Sequence, residues 1–181
     1  ACNDLSCTLL DPSFPFDIPL RINMSGPEVV DQNGNIWLGD EIGPGDLLNI
    51  RPDDSNGTNT IPNWCAADAG SVAEFGFDPN GPMAAALSSI RWDVDSLNSP
   101  YVIELAVPNG DYYLNLYFLE CCCPNRHFSI SLENDLAYED VHQGDFSTGT
   151  NIGRYSFEEV AVDDGSLTIT LTGIAGGDVN A

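Results

Sequence analysis

Six cysteines, two histidines and 28 carboxylates are the groups in this chain that can do chemistry. With so many Asp and Glu, some pair falls by chance at the separation that glycoside hydrolysis uses, so a pair alone signals nothing. The sequence holds no Gly-x-Ser-x-Gly nucleophile turn, no His-Glu-x-x-His helix and no phosphate-cradling loop. His127 falls on the polar side of an alternating segment and His142 in a predicted loop, and neither has a nucleophile beside it in sequence. The expectation is a chain without catalysis.

The cysteines are Cys2, Cys7, Cys65, Cys121, Cys122 and Cys123. An even number in an acidic, loop-rich chain favours disulfides and an oxidising compartment. Cys2 can pair locally with Cys7, or one of the two can reach the triplet, with Cys65 taking another triplet member. Three adjacent thiolates do not easily converge on one tetrahedral ion, so neither a metal nor a cofactor is expected. Asp31, Asn33 and Asn35 have the odd spacing of a calcium loop, but the Gly at the sixth position and the closing Glu are missing. Asp31 to Asn35 therefore reads as a turn, with Asn33-Gly34 supplying residues that tolerate positive φ. Two glycosylation sequons occur. Asn56, in the polar-loop sequon Asn56-Gly57-Thr58, and Asn23, in Asn23-Met24-Ser25 at the end of a predicted strand, are both candidate acceptors, with shielding by the strand the alternative for Asn23.

Carboxylates outnumber the five basic residues so far that the formal net charge is −23. All five are Arg (Arg21, Arg51, Arg91, Arg126 and Arg154). Nucleic acid and anionic membrane surfaces both need cations to neutralise phosphate, so this field excludes them as partners. Neutral sugars, divalent cations and further copies of the chain remain. No stretch approaches the roughly 20 apolar residues that cross a bilayer, so no membrane insertion is expected. Ala1-Cys2-Asn3 reads as a terminus left after removal of a signal peptide, which points to an extracellular, secreted protein. At 181 residues and 43% hydrophobic, the chain suits one domain with a substantial core.

The elements that must position these groups are short strands. Residues 1–17 read as an extended N-terminal arm, with Phe14 and Phe16 on one side. Residues 18–181 form the domain. Ile18 to Met24 predicts a short strand, and residues 39–70, rich in Gly, Pro, Asp and Asn, predict a long loop region. Tyr101 to Val107 predicts a strand stopped by Pro108-Asn109-Gly110. In the next segment Tyr112, Leu114, Leu116 and Phe118 alternate with Tyr113, Asn115 and Tyr117. Phe128, Ile130 and Leu132 alternate with serines, and Leu167, Ile169 and Leu171 with threonines. Tyr155 to Val162 supplies another strand, ending at Asp163-Asp164, which reads as a hairpin tip. Met83 to Leu87 is the best helical candidate, and Trp37 reads as core. Many short strands with regular turns predict an all-β antiparallel sandwich.

The order of motifs resembles the malectin family over about residues 20–181. Arg21-Ile22-Asn23, Asp31-x-Asn33-Gly34-x-x-Trp37 and Ile90-Arg91-Trp92 are similar to its front half. Tyr101-Val102-Ile103-Glu104-Leu105-Ala106-Val107-Pro108-Asn109-Gly110-Asp111-Tyr112 is similar to its strand, Pro-Asn-Gly, Tyr hairpin. Leu116-Tyr117-Phe118-Leu119-Glu120, Arg126-His127-Phe128-Ser129-Ile130, Asp164-Gly165-Ser166-Leu167-Thr168-Ile169 and Asp178-Val179-Asn180-Ala181 follow in the family's order. The resemblance implies a jelly-roll-like sandwich that binds a saccharide or glycan at one end and is not an enzyme. It implies that Trp92 stands where the family has a sugar-contacting Tyr beside Arg91, and Asp178 where it has a ligand Asp. Trp64 is a candidate second wall. After Glu120 the family has a Tyr–Phe pair, and this chain departs from it with Cys122 and Cys123, which removes two stacking rings.

A second expectation comes from the chain ends. The family continues past Asn180-Ala181 with a closing strand, and the arm here carries Leu5, Leu9, Leu10, Phe14 and Phe16. An arm from a neighbouring copy can fill an open slot by strand addition, and repetition gives a homopolymer, a structural extracellular filament.

Overall fold

The computed structural model describes residues 19–40, 48–51, 58–59, 67–93, 100–120, 125–142, 152–175 and 179–180. The arm and all six cysteines lie outside the described residues. In chain order the front half holds β1 (Ile22–Asn23), β2 (Val29–Val30), β3 (Ile36–Gly39), β4 (Leu48–Arg51), β5 (Thr58–Asn59), α1 (Ala69–Glu74), α2 (Pro82–Ala86) and β6 (Ile90–Asp93). The back half holds β7 (Tyr101–Ala106), β8 (Gly110–Leu119), β9 (His127–Leu132), β10 (Asp135–His142), β11 (Ile152–Val162), β12 (Ser166–Ala175) and β13 (Val179–Asn180).

The period-two segments became the sandwich. One sheet runs β10-β9-β12-β7-β4, and a ribbon of β11 and β8 faces it. Small sheets β1-β3-β2 and β13-β6-β5 flank them. Every pairing among the described residues is antiparallel except β1 with β3. Ile103 and Leu105 of β7, Phe128 and Ile130 of β9, and Ile169 and Leu171 of β12 are buried. They belong to one core with Phe118 of β8 and Val160 and Val162 of β11, onto which Leu114, Leu116 and Phe157 pack. Alternation puts one apolar side chain from every second residue into this layer, and each buried side chain contributes about 1.5–3 kcal/mol. The structure is an all-β sandwich.

Two expected hairpins are corrected. β7 pairs with β12 and β4, whereas β8 pairs with β11. Pro108-Asn109-Gly110 and Asp163-Asp164 therefore carry the chain from one sheet to the other. The crossings are tied together: Asn109 Nδ2 donates to the Asp163 carbonyl at 2.6 Å, and the Val107 N–H to the Gly165 carbonyl at 3.0 Å. A turn signal says that the chain reverses. Which sheet it re-enters depends on which face needs cover.

One hairpin carries no sequence signature. β9 and β10 join through Glu133 and Asn134, whose φ values of 52° and 69° are both positive, as a tight two-residue hairpin turn requires. Glu133 lacks the Gly or Asn signature of such a turn. Register shifts within β10 also break its alternation. Hence His142, expected in a loop, lies in a strand. In β11 a shift between Phe157 and Val160, with Glu159 at φ 57°, moves the inward set from odd to even positions. The expected long loop at 39–70 also yields structure: β4 joins the main sheet, β5 pairs with β6, and α1 begins there. The expected strand over Ile18 to Met24 is only β1, and the expected helix over Met83 to Leu87 is α2.

The Asp31 turn is built on its carboxylate. Oδ1 accepts from the N–H groups of Asn33 (2.8 Å) and Asn35 (2.9 Å), and Oδ2 from Asn35 Nδ2 (2.8 Å) and Trp37 Nε1 (3.4 Å). Burial pushes the carboxyl up, but the hydrogen bonds from Asn35, Asn33 and Trp37 outweigh it and hold it below its ordinary 3.8. Folding therefore favours the ionised form, and this stability is present above the unfolded value and lost as pH falls through the folded one. In Asp31→Asn, the drop in urea-unfolding midpoint between about pH 5 and about pH 2.5 is expected to be smaller than in the wild type. Phe128→Ala, at 0% exposure, is expected to lower unfolding free energy by about 3–5 kcal/mol in the same assay at neutral pH.

Candidate functional site

Strand directions sort the connections between two ends. Tyr101 at the start of β7 stands opposite Leu171 of β12, and Ile152 at the start of β11 opposite Leu119 at the end of β8. His127 at the start of β9 stands opposite His142 at the end of β10 and Ala175 at the end of β12. Arg51 at the end of β4 pairs with Val102. The strand ends bordering residues 52–57, 94–99, 121–124, 143–151 and 176–178 thus gather at one end. The tight connections at 107–110, 133–134 and 163–165 gather at the other. Rigid strand ends that bear long connections are where binding sites are built.

At the first end, Trp92 of β6 stands opposite Asn180 of β13, and Asp93 opposite Val179. On its other side β6 pairs with β5, with Arg91 opposite Thr58. The backbone of Arg91 and Trp92 therefore lies between the strand that follows Asp178 and the strand that follows Asn56. Asp178, Asn56 and Trp64 themselves lie outside the described residues. The fold brings the Trp92 and Asp178 segments side by side, although they are far apart in sequence.

Two features support this end. Glu120 and Arg126, 1% and 8% exposed, form an ion pair with Arg126 Nη1 3.1 Å from Glu120 Oε2. They bracket residues 121–124, so the connection that carries the cysteine triplet leaves and returns at a buried clamp. Behind it a second core forms around Leu119 and Ile152, with Val72 of α1 and Met83 and Ala86 of α2. Asp68 caps α1 by accepting from the Ser71 N–H at 3.0 Å, and Pro82 begins α2. Trp37, expected in the core, is half-buried here and meets Phe77 and Tyr117 edge to face at 5.8 and 6.4 Å. Arg154 lies 5.2 Å from the Phe75 ring centroid.

Sequence reasoning missed a histidine pair. The rings of His127 and His142 stack at 3.9 Å and 15°, and His127 Nδ1 is 2.8 Å from Asp140 Oδ1. The shifts in β10 spoil any count outward from the turn, so only the folded register reveals the pairing. No group of three or more His, Cys, Asp or Glu that could hold a metal ion occurs among the described residues. The acceptor of the second sequon lies in the described residues. Asn23 is 4% exposed, its Nδ2 donates to the Pro27 carbonyl (2.8 Å), and its Oδ1 accepts from Ser89 Oγ (2.7 Å).

No family model and no curated protein matches this sequence. Solved structures match at the level of fold. A β-glucuronidase of Bacteroides uniformis superposes with TM-score 0.61 at 13% identity, over 89% of this chain and 17% of that one. The extracellular domain of ANXUR1 from Arabidopsis thaliana gives 0.59 at 18% identity, over 89% of this chain and 45% of that one. The plant receptor-like kinase FER gives 0.55 at 19%, over 89% and 46%. The chain thus spans less than half the length of each, and at these identities the likeness is one of fold.

Breaking the clamp strands a buried charge. Arg126→Met is expected to cost about 3–5 kcal/mol in urea unfolding, and the double variant Glu120→Gln/Arg126→Met to recover part of that loss.

Proposed function

We propose that this chain is a non-catalytic, extracellular saccharide-binding module of malectin-like type. The observation that carries the proposal is the register that sets Trp92 opposite the strand following Asp178, at the end where the long connections leave the sandwich. A pyranose has an apolar face that stacks on an indole and hydroxyls that donate to a carboxylate. Trp92 supplies the platform and Asp178 the acceptor. Arg91 supplies donors, and Trp64 a second wall. Cys122 and Cys123 stand where the malectin pattern has two rings, so the site holds its sugar mainly from one side. A fold shared over 89% of the chain with the extracellular domain of ANXUR1 supports an extracellular module.

The module binds without turnover. The hydrolytic activity in the name of the β-glucuronidase belongs to a protein of which this chain spans 17%. The absence of any reaction signature in the sequence supports the same reading. The homopolymer expectation rests on residues 1–17 and finds no support among the described residues.

Calorimetric titration of the purified chain with neutral oligosaccharides is the test. Binding is expected, with Trp92→Ala and Asp178→Asn each weakening it by about 10-fold or more. Variants that bind as tightly as the wild type, or release of reducing sugar from a glycoside, would refute the proposal.

A further inference from the structure

At the opposite end from the Trp92 strand, the described residues leave the sandwich open along one side. Among the described residues β10 pairs only with β9 and β11 only with β8. Between the two open edges runs a groove of about 310 Å³, bordered by Leu132, Phe157 and Val160. Leu132 and Val160 are buried core residues and Phe157 packs on the same core, so the groove opens onto the sandwich interior. Its lips carry four carboxylates, Glu133, Asp135, Glu158 and Glu159, and, among the described residues, no basic side chain. Glu133 Oε1 already accepts from the Thr168 N–H. The shift in β11 explains the crowding on one lip. In a regular strand successive side chains alternate, but here Glu158 and Glu159 are both exposed.

We propose that this groove docks a basic, extended peptide segment of another protein. Its shape suits an extended chain, because an open strand edge offers backbone donors and acceptors along its length. Its charge selects the occupant. Residues 1–17 hold Asp4, Asp11 and Asp17 and no Arg, and a second copy carries −23, so the chain's own arm and a further copy are both repelled. The carboxylates do not form a cation cage among the described residues. Lys or Arg side chains alternating with apolar ones satisfy both the lips and the floor.

The probe is a labelled peptide of alternating Lys and Val, titrated against the whole chain by fluorescence anisotropy at about 50 mM salt, where screening is weak. Glu158→Lys with Glu159→Asn removes two negative lip charges and adds a positive one, and Asn tolerates the positive φ at position 159. Glu74→Lys on α1 changes charge elsewhere. The groove variant is expected to bind about 10-fold more weakly or worse, with Glu74→Lys within about 2-fold of wild type. Amide shifts on binding are expected to cluster at residues 132–137 and 157–161. No binding, equal losses in both variants, or shifts elsewhere would overturn the proposal. So would calcium moving the groove amides while the peptide leaves them still. The saccharide site lies at the other end and is tested separately, so either reading can fail alone.

Discussion

Face-to-face burial of the main sheet against the β8–β11 ribbon is the constraint on which the rest of the molecule depends. Phe128, Ile130 and Leu171 are almost fully buried and need Phe118, Val160 and Val162 as cover. β7 and β8, and β11 and β12, are adjacent in sequence but belong to opposite layers, so the chain crosses between sheets at both junctions. Two crossings at one end, held together by Asn109 and Val107, leave the long connections to the other. The division of the molecule into a turn end and a loop end follows from where the apolar faces must go.

Electrostatics then gives the two ends different characters. With 28 acids against five Arg, few cations are available to pair. One of them, Arg126, is spent on a buried clamp with Glu120, where the requirement for a partner is strongest. That clamp ties the end of β8 to the start of β9. The groove at the far end has carboxylates on its lips, and its lining holds no Arg among the described residues.

Much of this was legible in the residues. Alternation in Tyr112 to Phe118, Phe128 to Leu132 and Leu167 to Leu171 named both the strands and their inward faces, because period two follows from backbone geometry alone. The Asp31 turn was legible for a similar reason, since an Asx side chain caps its own neighbours. β10 was not, because its register shifts destroy the period on which such reading relies. Glu120 and Arg126 belong to separate sequence motifs. Their pairing appeared only when β8 and β9 were brought to the same end.

The residues alone set the class of fold, the inward faces of the main strands, the local turns and the sign of the surface charge. Each of these depends on interactions within a few residues or on a sum over all of them. Tertiary structure decided that two expected hairpins are crossings, that His127 stacks on His142, and that Trp92 lies across from the strand after Asp178. Those outcomes depend on contacts between distant segments, chosen by which arrangement buries all the apolar faces at once, and no local pattern encodes that choice.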